Sequence, residues 1–209
     1  FLFYGLLFFT DLTGGLYEGP VWKIFAGIFV SGGFLFTFGQ YVPSWDSAYY
    51  PLMMSQNIVY REYLNAKWSM ITIATAVSTL LASFYMLFSW DVYAAILTGA
   101  IYNIGINGYL VLLSGAYIKT PIDLTSAKKP FGDKQAVNAK TLLLTLPKLL
   151  LPMVLFFVGS FFGGEWIGFM TVACTGILGY FLKNKVFDLI ETLYKTEKYK
   201  TLNAYQQTT

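Results

Sequence analysis

The chain has 209 residues, 56% of them hydrophobic and 12% charged, with 14 Lys and Arg against 11 Asp and Glu. Soluble domains carry about 25% charged residues, so the composition excludes an ordinary water-soluble globule and points to an all-α, polytopic membrane protein. With no His and one Cys, a zinc site or a Cys–His nucleophile pair cannot be built from this chain.

In chain order, about six transmembrane helices are expected. Residues 1–9 open inside an apolar run without an initiator Met or a cleavage site, and read as the end of a truncated first span. Asp11, Gly14, Gly15, Glu18, Gly19 and Pro20 are turn chemistry. A second span covers about residues 21–38. A polar connector with Pro43, Asp46 and Pro51 leads to spans of about 68–88 and 92–117, parted by Ser89-Trp90-Asp91. A lysine-rich connector follows. Within it Asp133 reads as the cap of a helix that slides along the interface before Pro147. The last two spans are about 146–162, broken by Pro147 and Pro152, and 166–182. Residues 1–186 thus read as a transmembrane domain. Residues 187–209 form an amphipathic tail, with Phe187, Ile190, Leu193, Tyr194 and Tyr199 at helical spacing.

Charge sets the orientation. Arg61 and Lys67, then Lys119, Lys128, Lys129, Lys134, Lys140 and Lys148, then Lys183, Lys185, Lys195, Lys198 and Lys200 fall on one side if each span is crossed once. Only Lys23 falls on the other, so the C-terminus is expected in the cytoplasm. Trp22, Trp90 and Trp166 mark the outer ends, Trp45 and Trp68 the inner ones.

Little here could carry chemistry. No Asp, Glu, Lys or Arg falls near the centre of a predicted span, which counts against an ion-coupled relay. There is no GxxxxGK[ST] loop, so the chain is not expected to bind ATP or to act as an enzyme. Asn103 and Asn107 share a helical face with Gly99. They read either as interhelical hydrogen-bonding groups or as the lining of a path for a polar substrate. Cys174, deep in a span, reads as a small packing residue.

The polar stretch at residues 57–67 predicts a short helix on the membrane surface. Asn57 is a suitable N-cap; Tyr60, Tyr63, Leu64 and Lys67 recur on one side, and Arg61, Glu62 and Asn65 on the other. Arg61 and Glu62 would each cost a few kcal/mol in hydrocarbon. The order Ile58, Val59, Tyr60, Arg61, Glu62, Tyr63, Leu64, Lys67 resembles the cytoplasmic coupling helix between the second and third spans of type-2 ABC exporters. More closely, residues 38–68, the TLLLTLPKLLLP segment and the charged tail resemble an uncharacterised family of bacterial ABC-2-like membrane proteins. The proline expected near the head of the coupling helix is missing, and Val59 stands about where it would be.

That resemblance implies a permease subunit in the bacterial inner membrane, driven by a separate ATP-binding subunit that holds the ATP and Mg. Tyr60, Arg61, Glu62, Tyr63 and Lys67 would meet that subunit. A second permease half or copy and membrane lipid are the other implied partners, with no nucleic acid. The alternative is a non-transporting scaffold or anchor in a cell-envelope or secretion complex.

Overall fold

The structure, a computed structural model, describes residues 2–9, 19–56, 58–121 and 139–206. A 3-10 turn (Leu2–Tyr4) precedes α1 (Gly5–Phe9), α2 (Pro20–Ser31) and α3 (Gly33–Thr37). Two further 3-10 turns (Gly39–Tyr41 and Ser44–Asp46) and α4 (Tyr50–Ser55) form the connector. Then come α5 (Tyr60–Leu81), prolonged by a 3-10 stretch to Leu87, and α6 (Trp90–Tyr102), a π-helical turn (Asn103–Asn107) and α7 (Gly108–Tyr117). The chain closes with α8 (Ala139–Gly163), α9 (Glu165–Phe181) and α10 (Lys183–Gln206). There is no strand among the described residues, and the chain is all-α as expected.

Among the described residues, three helical stretches are long and apolar enough to cross a membrane: Tyr60–Leu87, Trp90–Tyr117 and Leu143–Gly163. A fourth arises only if α9 and α10, bent by 67° between them, count as one. The expectation of six spans is corrected accordingly. Leu2–Phe9 is two short helical pieces. The stretch at 21–38 is parted at Gly32, where φ is −103° and ψ 14°. Just before it, the Ser31 hydroxyl donates to the Gly27 carbonyl at 2.7 Å, a back-bond that favours a bend.

Two further expectations fail for one reason, which is that nothing stops the helix. Residues 60–67 are not a separate surface helix. They are the first turns of α5, because no Gly or Pro separates Tyr60 from Leu81. Asn57 lies outside the described residues, and Val59 precedes the helix with no side-chain cap. Likewise the segment before Pro147 runs straight into α8, which carries Pro147 and Pro152 inside it. Neighbouring helices and local adjustment tolerate such prolines in apolar bundles. Asp133 lies outside the described residues.

The centre of the bundle is α6 with its π turn and α7, 67% buried against 28% and 22% for the other two long stretches. α2 runs parallel to α6, since Gly27 faces Ala95 and Gly99 while Gly32 faces Asn103. A Cβ on Gly99 would stand 2.6 Å from the Gly27 carbonyl carbon, so this crossing needs glycine. On the other side Gly105 of the π turn abuts the Gly176 carbonyl of α9. α8 and α9 form an antiparallel hairpin, with Phe156 and Phe169 ring centroids 5.2 Å apart.

The two ends differ in charge, as the sequence pattern leads one to expect. Lys23 pairs with Glu165 at 2.8 Å at one end. The other end gathers Arg61, Lys67, Lys119 and the lysines of α10, tied together by contacts among α5, the connector and α10. Between the ends, Ile73, Val77 and Leu80 of α5, Val154, Phe157 and Phe161 of α8, and Met170 and Leu178 of α9 lie exposed. An apolar belt this broad is the kind of surface a bilayer covers. Cys174 is exposed on α9 rather than packed within the bundle.

Candidate functional site

The basic end is built around Asp46. The connector turns at Ser44–Asp46, and the Ser44 hydroxyl reaches the Ile118 carbonyl at 3.4 Å. The Asp46 carboxylate then accepts from the Tyr63 hydroxyl and from Lys67 Nζ, each at 2.7 Å. Pro51 lies in the first turn of α4, where its fixed φ suits a helix start and its missing N–H costs nothing.

α10 folds back onto this end. Its buried stripe is Phe187, Ile190, Tyr194, Thr201 and Tyr205. The expected amphipathic helix is therefore present, but it begins at Lys183, and its apolar face packs on the chain's own α5, α7 and α4. Tyr199, expected on the apolar face, is 71% exposed. Tyr194 donates to the Leu112 carbonyl at 2.9 Å and packs edge-on against Tyr60, centroids 6.1 Å apart. Tyr50 and Tyr205 meet at 90° with centroids 5.4 Å apart.

Of the five residues singled out for partner contact, four face inward. Tyr60 is buried. Arg61 donates to Asp188 at 2.6 Å and to the Asn184 side chain at 3.0 Å, and its guanidinium lies 5.3 Å from the Phe187 ring. Tyr63 and Lys67 are taken up by Asp46. Glu62 alone is exposed. The assignment of Arg61 to an outward face is corrected: its polar neighbours belong to α10.

What does face outward is one element earlier. Tyr49, Leu52 and Val59 are 65%, 58% and 53% exposed, on a connector whose other side is pinned to the bundle. Beside them opens a cleft of about 400 Å³. Met54, Ile58, Val59 and Tyr60 form one wall; Glu191, Lys195, Lys198 and Tyr199 of α10 form the other. The pattern of residues 57–67 suggested a docking element. Nothing in periodicity signalled that α10 would fold back to form the second wall of a cleft here.

Lys119 and Lys200 both bond to the Glu197 carboxylate, which ties α10 to the end of α7. These two hydrogen bonds hold the Glu197 carboxyl down at about 2. A depressed carboxyl contributes stability that is present above its unfolded value and lost as pH falls through the folded one. The wild type is thus expected to lose more thermal stability than Glu197→Gln between pH 4.5 and 2. Parallel curves for the two proteins would show that the pair contributes nothing.

Asn103 and Asn107 are fully buried in the π turn. Asn103 Nδ2 donates to the Ile28 carbonyl at 2.9 Å and to Ser31 Oγ at 3.0 Å, and Asn107 Nδ2 donates to Asn103 Oδ1 at 2.8 Å. This arrangement is interhelical bonding between α6 and α2. Asn107 Oδ1 stays without a hydrogen-bond partner. Among the described residues no three His, Cys, Asp or Glu side chains are grouped to hold a metal.

No curated protein and no solved structure matches the chain. The model of a family of unknown function, DUF5687, matches residues 1–208, and the chain belongs to that family.

Proposed function

We propose that this chain is the multi-pass permease subunit of a bacterial ABC exporter in the inner membrane, with its basic end in the cytoplasm. A separate ATPase, which holds the ATP and Mg, docks on that end. The observation that carries the reading is the exposed apolar trio Tyr49, Leu52 and Val59, set beside the lysine-walled cleft. Apolar side chains held rigidly at the charged end of a membrane protein lie outside the lipid belt, and a second protein is what covers such a patch. The connector between the second and third apolar segments is also where the resemblance puts the coupling helix. α4 takes that role here, one element before residues 60–67.

A specific observation favours the alternative of a non-transporting scaffold. Arg61, Tyr63 and Lys67 are satisfied within the chain, which makes the basic end a fixed platform rather than a lever.

The test is capture of partners from native bacterial membranes in mild detergent, with the Leu52→Asp, Val59→Asp double variant as comparison. Buried apolar anchors are worth about 2 kcal/mol or more, roughly 30-fold in affinity. Wild type is expected to bring down a P-loop ATPase, and the double variant to lose it while retaining wild-type thermal stability. Recovery of non-ATPase envelope proteins would establish the scaffold reading. Equal recovery of the ATPase by both proteins would place docking elsewhere.

A further inference from the structure

Lys148 is a cation inside an apolar helix. It lies five residues past Leu143 in the Leu143–Gly163 stretch and is 1% exposed. It shares a face of α8 with Pro152, Phe156 and Gly159, all buried. Phe156 packs on Phe169 and Gly159 on Gly168 and Thr171, so this face looks onto α9. Carried back along the antiparallel hairpin, the same register brings Lys148 level with Gly179, which itself abuts Gly105 of the π turn.

No ion pair or hydrogen bond to Lys148 is present among the described residues. The described carboxylates are spoken for. Asp46, Glu165, Asp188, Glu191 and Glu197 each pair with another Lys or Arg. Glu62 is exposed at the basic end, and Asp91 lies in the first turn of α6 at the opposite end, its backbone N–H donating to the Ser89 cap. An ammonium without a counter-charge inside an apolar helix is unfavourable, and an ionisable residue inside a span marks a site with a partner. The backbone is equally open there. Pro152 has no N–H for the Lys148 carbonyl four residues before it, and Pro147 has none for that of Leu143. The turn that carries the cation is bracketed by missing backbone bonds, so it can part from the helix at lower cost than a regular turn.

We propose that Lys148 anchors a binding site for a phosphate monoanion between α8 and α9, on the side of the bundle nearer the basic end. Two sources share that chemistry. One is the headgroup of an anionic phospholipid, reached from the exposed apolar surface formed by Leu150, Leu151 and Leu178. The other is a soluble phosphate ester. Basic sites between helices at the cytoplasmic side are suited to the first. The site is independent of the docking reading above, because it requires no protein partner.

The experiment is native mass spectrometry of the purified full chain in a neutral detergent. The probes are phosphatidylglycerol against phosphatidylcholine in equal amounts, and separately glycerol 3-phosphate. The proteins are wild type, Lys148→Met and Lys148→Arg. Wild type is expected to prefer phosphatidylglycerol by about tenfold, Lys148→Arg to keep the preference and Lys148→Met to lose it. Lipid-free Lys148→Met should be at least as thermostable as wild type, since an unpaired buried charge has been removed. Phosphatidylglycerol should then raise the melting temperature of wild type and Lys148→Arg but not of Lys148→Met. Binding of glycerol 3-phosphate by wild type but not Lys148→Met would identify the soluble source. The proposal is overturned if wild type shows no headgroup preference and no glycerol 3-phosphate binding, or if Lys148→Met binds as wild type does. It is also overturned if Asp123→Asn or Asp133→Asn destabilises wild type but not Lys148→Met, which would make the counter-ion internal.

Discussion

Gly105→Ala is expected to unseat α9 from the centre of the bundle. A Cβ at this position would stand 2.6 Å from the Gly176 carbonyl carbon and closer still to its oxygen, and both are backbone atoms that no rotamer change can move aside. From the other side, a Cβ on Gly179 would meet the Gly105 carbonyl. Between helices surrounded by lipid there is no hydrophobic driving force, so close backbone packing carries much of the association. Overpacking at a packed contact costs about 1–3 kcal/mol and occasionally more. The damage should spread, because the π turn also orients Asn103, whose carboxamide bonds to α2. The measurement is unfolding in mixed micelles, with Ser69→Ala, an exposed site on α5, as the reference expected within about 0.5 kcal/mol. If Gly105→Ala proves as stable as Ser69→Ala, the close approach of α9 to the π turn is wrong.

Tyr194→Ala should release α10 from the basic end. The side chain is 3% exposed and stands where the connector, α7 and α10 converge. Its ring meets Tyr60 and its hydroxyl donates to the Leu112 carbonyl. Truncating a buried aromatic costs about 3–5 kcal/mol. The polar ties to the rest of the chain that remain, Arg61–Asp188 and Lys119–Glu197, are partly exposed, and exposed ion pairs contribute little. Only they and the flanking Phe187, Ile190 and Tyr205 of the buried stripe are then left to hold the helix, on either side of the gap where the connector, α7 and α10 met. Tyr194→Phe should lose only the hydrogen bond, about 1 kcal/mol. Hydrogen exchange along α10 reads the difference: rapid exchange across 183–206 in the alanine variant, near-native protection in phenylalanine. Because α10 is one wall of the cleft, the docking proposed above predicts that Tyr194→Ala loses capture of an ATPase as well. An alanine variant with a protected α10 would mean that the ion pairs and the rest of the buried stripe, not the Tyr194 joint, secure the helix.

Class, charge asymmetry and helix faces were legible in the sequence because each follows from a local rule. Hydrocarbon tolerates few charges, so the 12% charged content and the long apolar runs marked the membrane-spanning class. Translocation sorts lysines by side, so the basic residues pointed to one end before any contact was known. Phe187, Ile190 and Tyr194 recur at helical spacing, so α10 was predictable as amphipathic. The span count was overestimated because apolar runs report composition. They do not report that Ser31 and Gly32 part a helix, or that α9 is a helix of only 17 residues.

What covers each face was decided only in the tertiary structure. Helical periodicity says that Tyr60, Tyr63 and Lys67 share a side and that Arg61 lies elsewhere. It is silent on whether lipid, another protein or the same chain meets them, and the answer is Asp46 and α10, from 17 and 127 residues away in sequence. The π turn at 103–107 lies where α9 meets Gly105 and α2 meets Asn103, and no periodic pattern announces it. Lys148 looked like one more lysine of the basic end. Its burial against α9 depends on the hairpin register, which is set by Phe156, Gly159 and Gly168 on two different helices. Local chemistry determines which element forms and which of its faces is apolar; the partner of that face is a property of the whole packing.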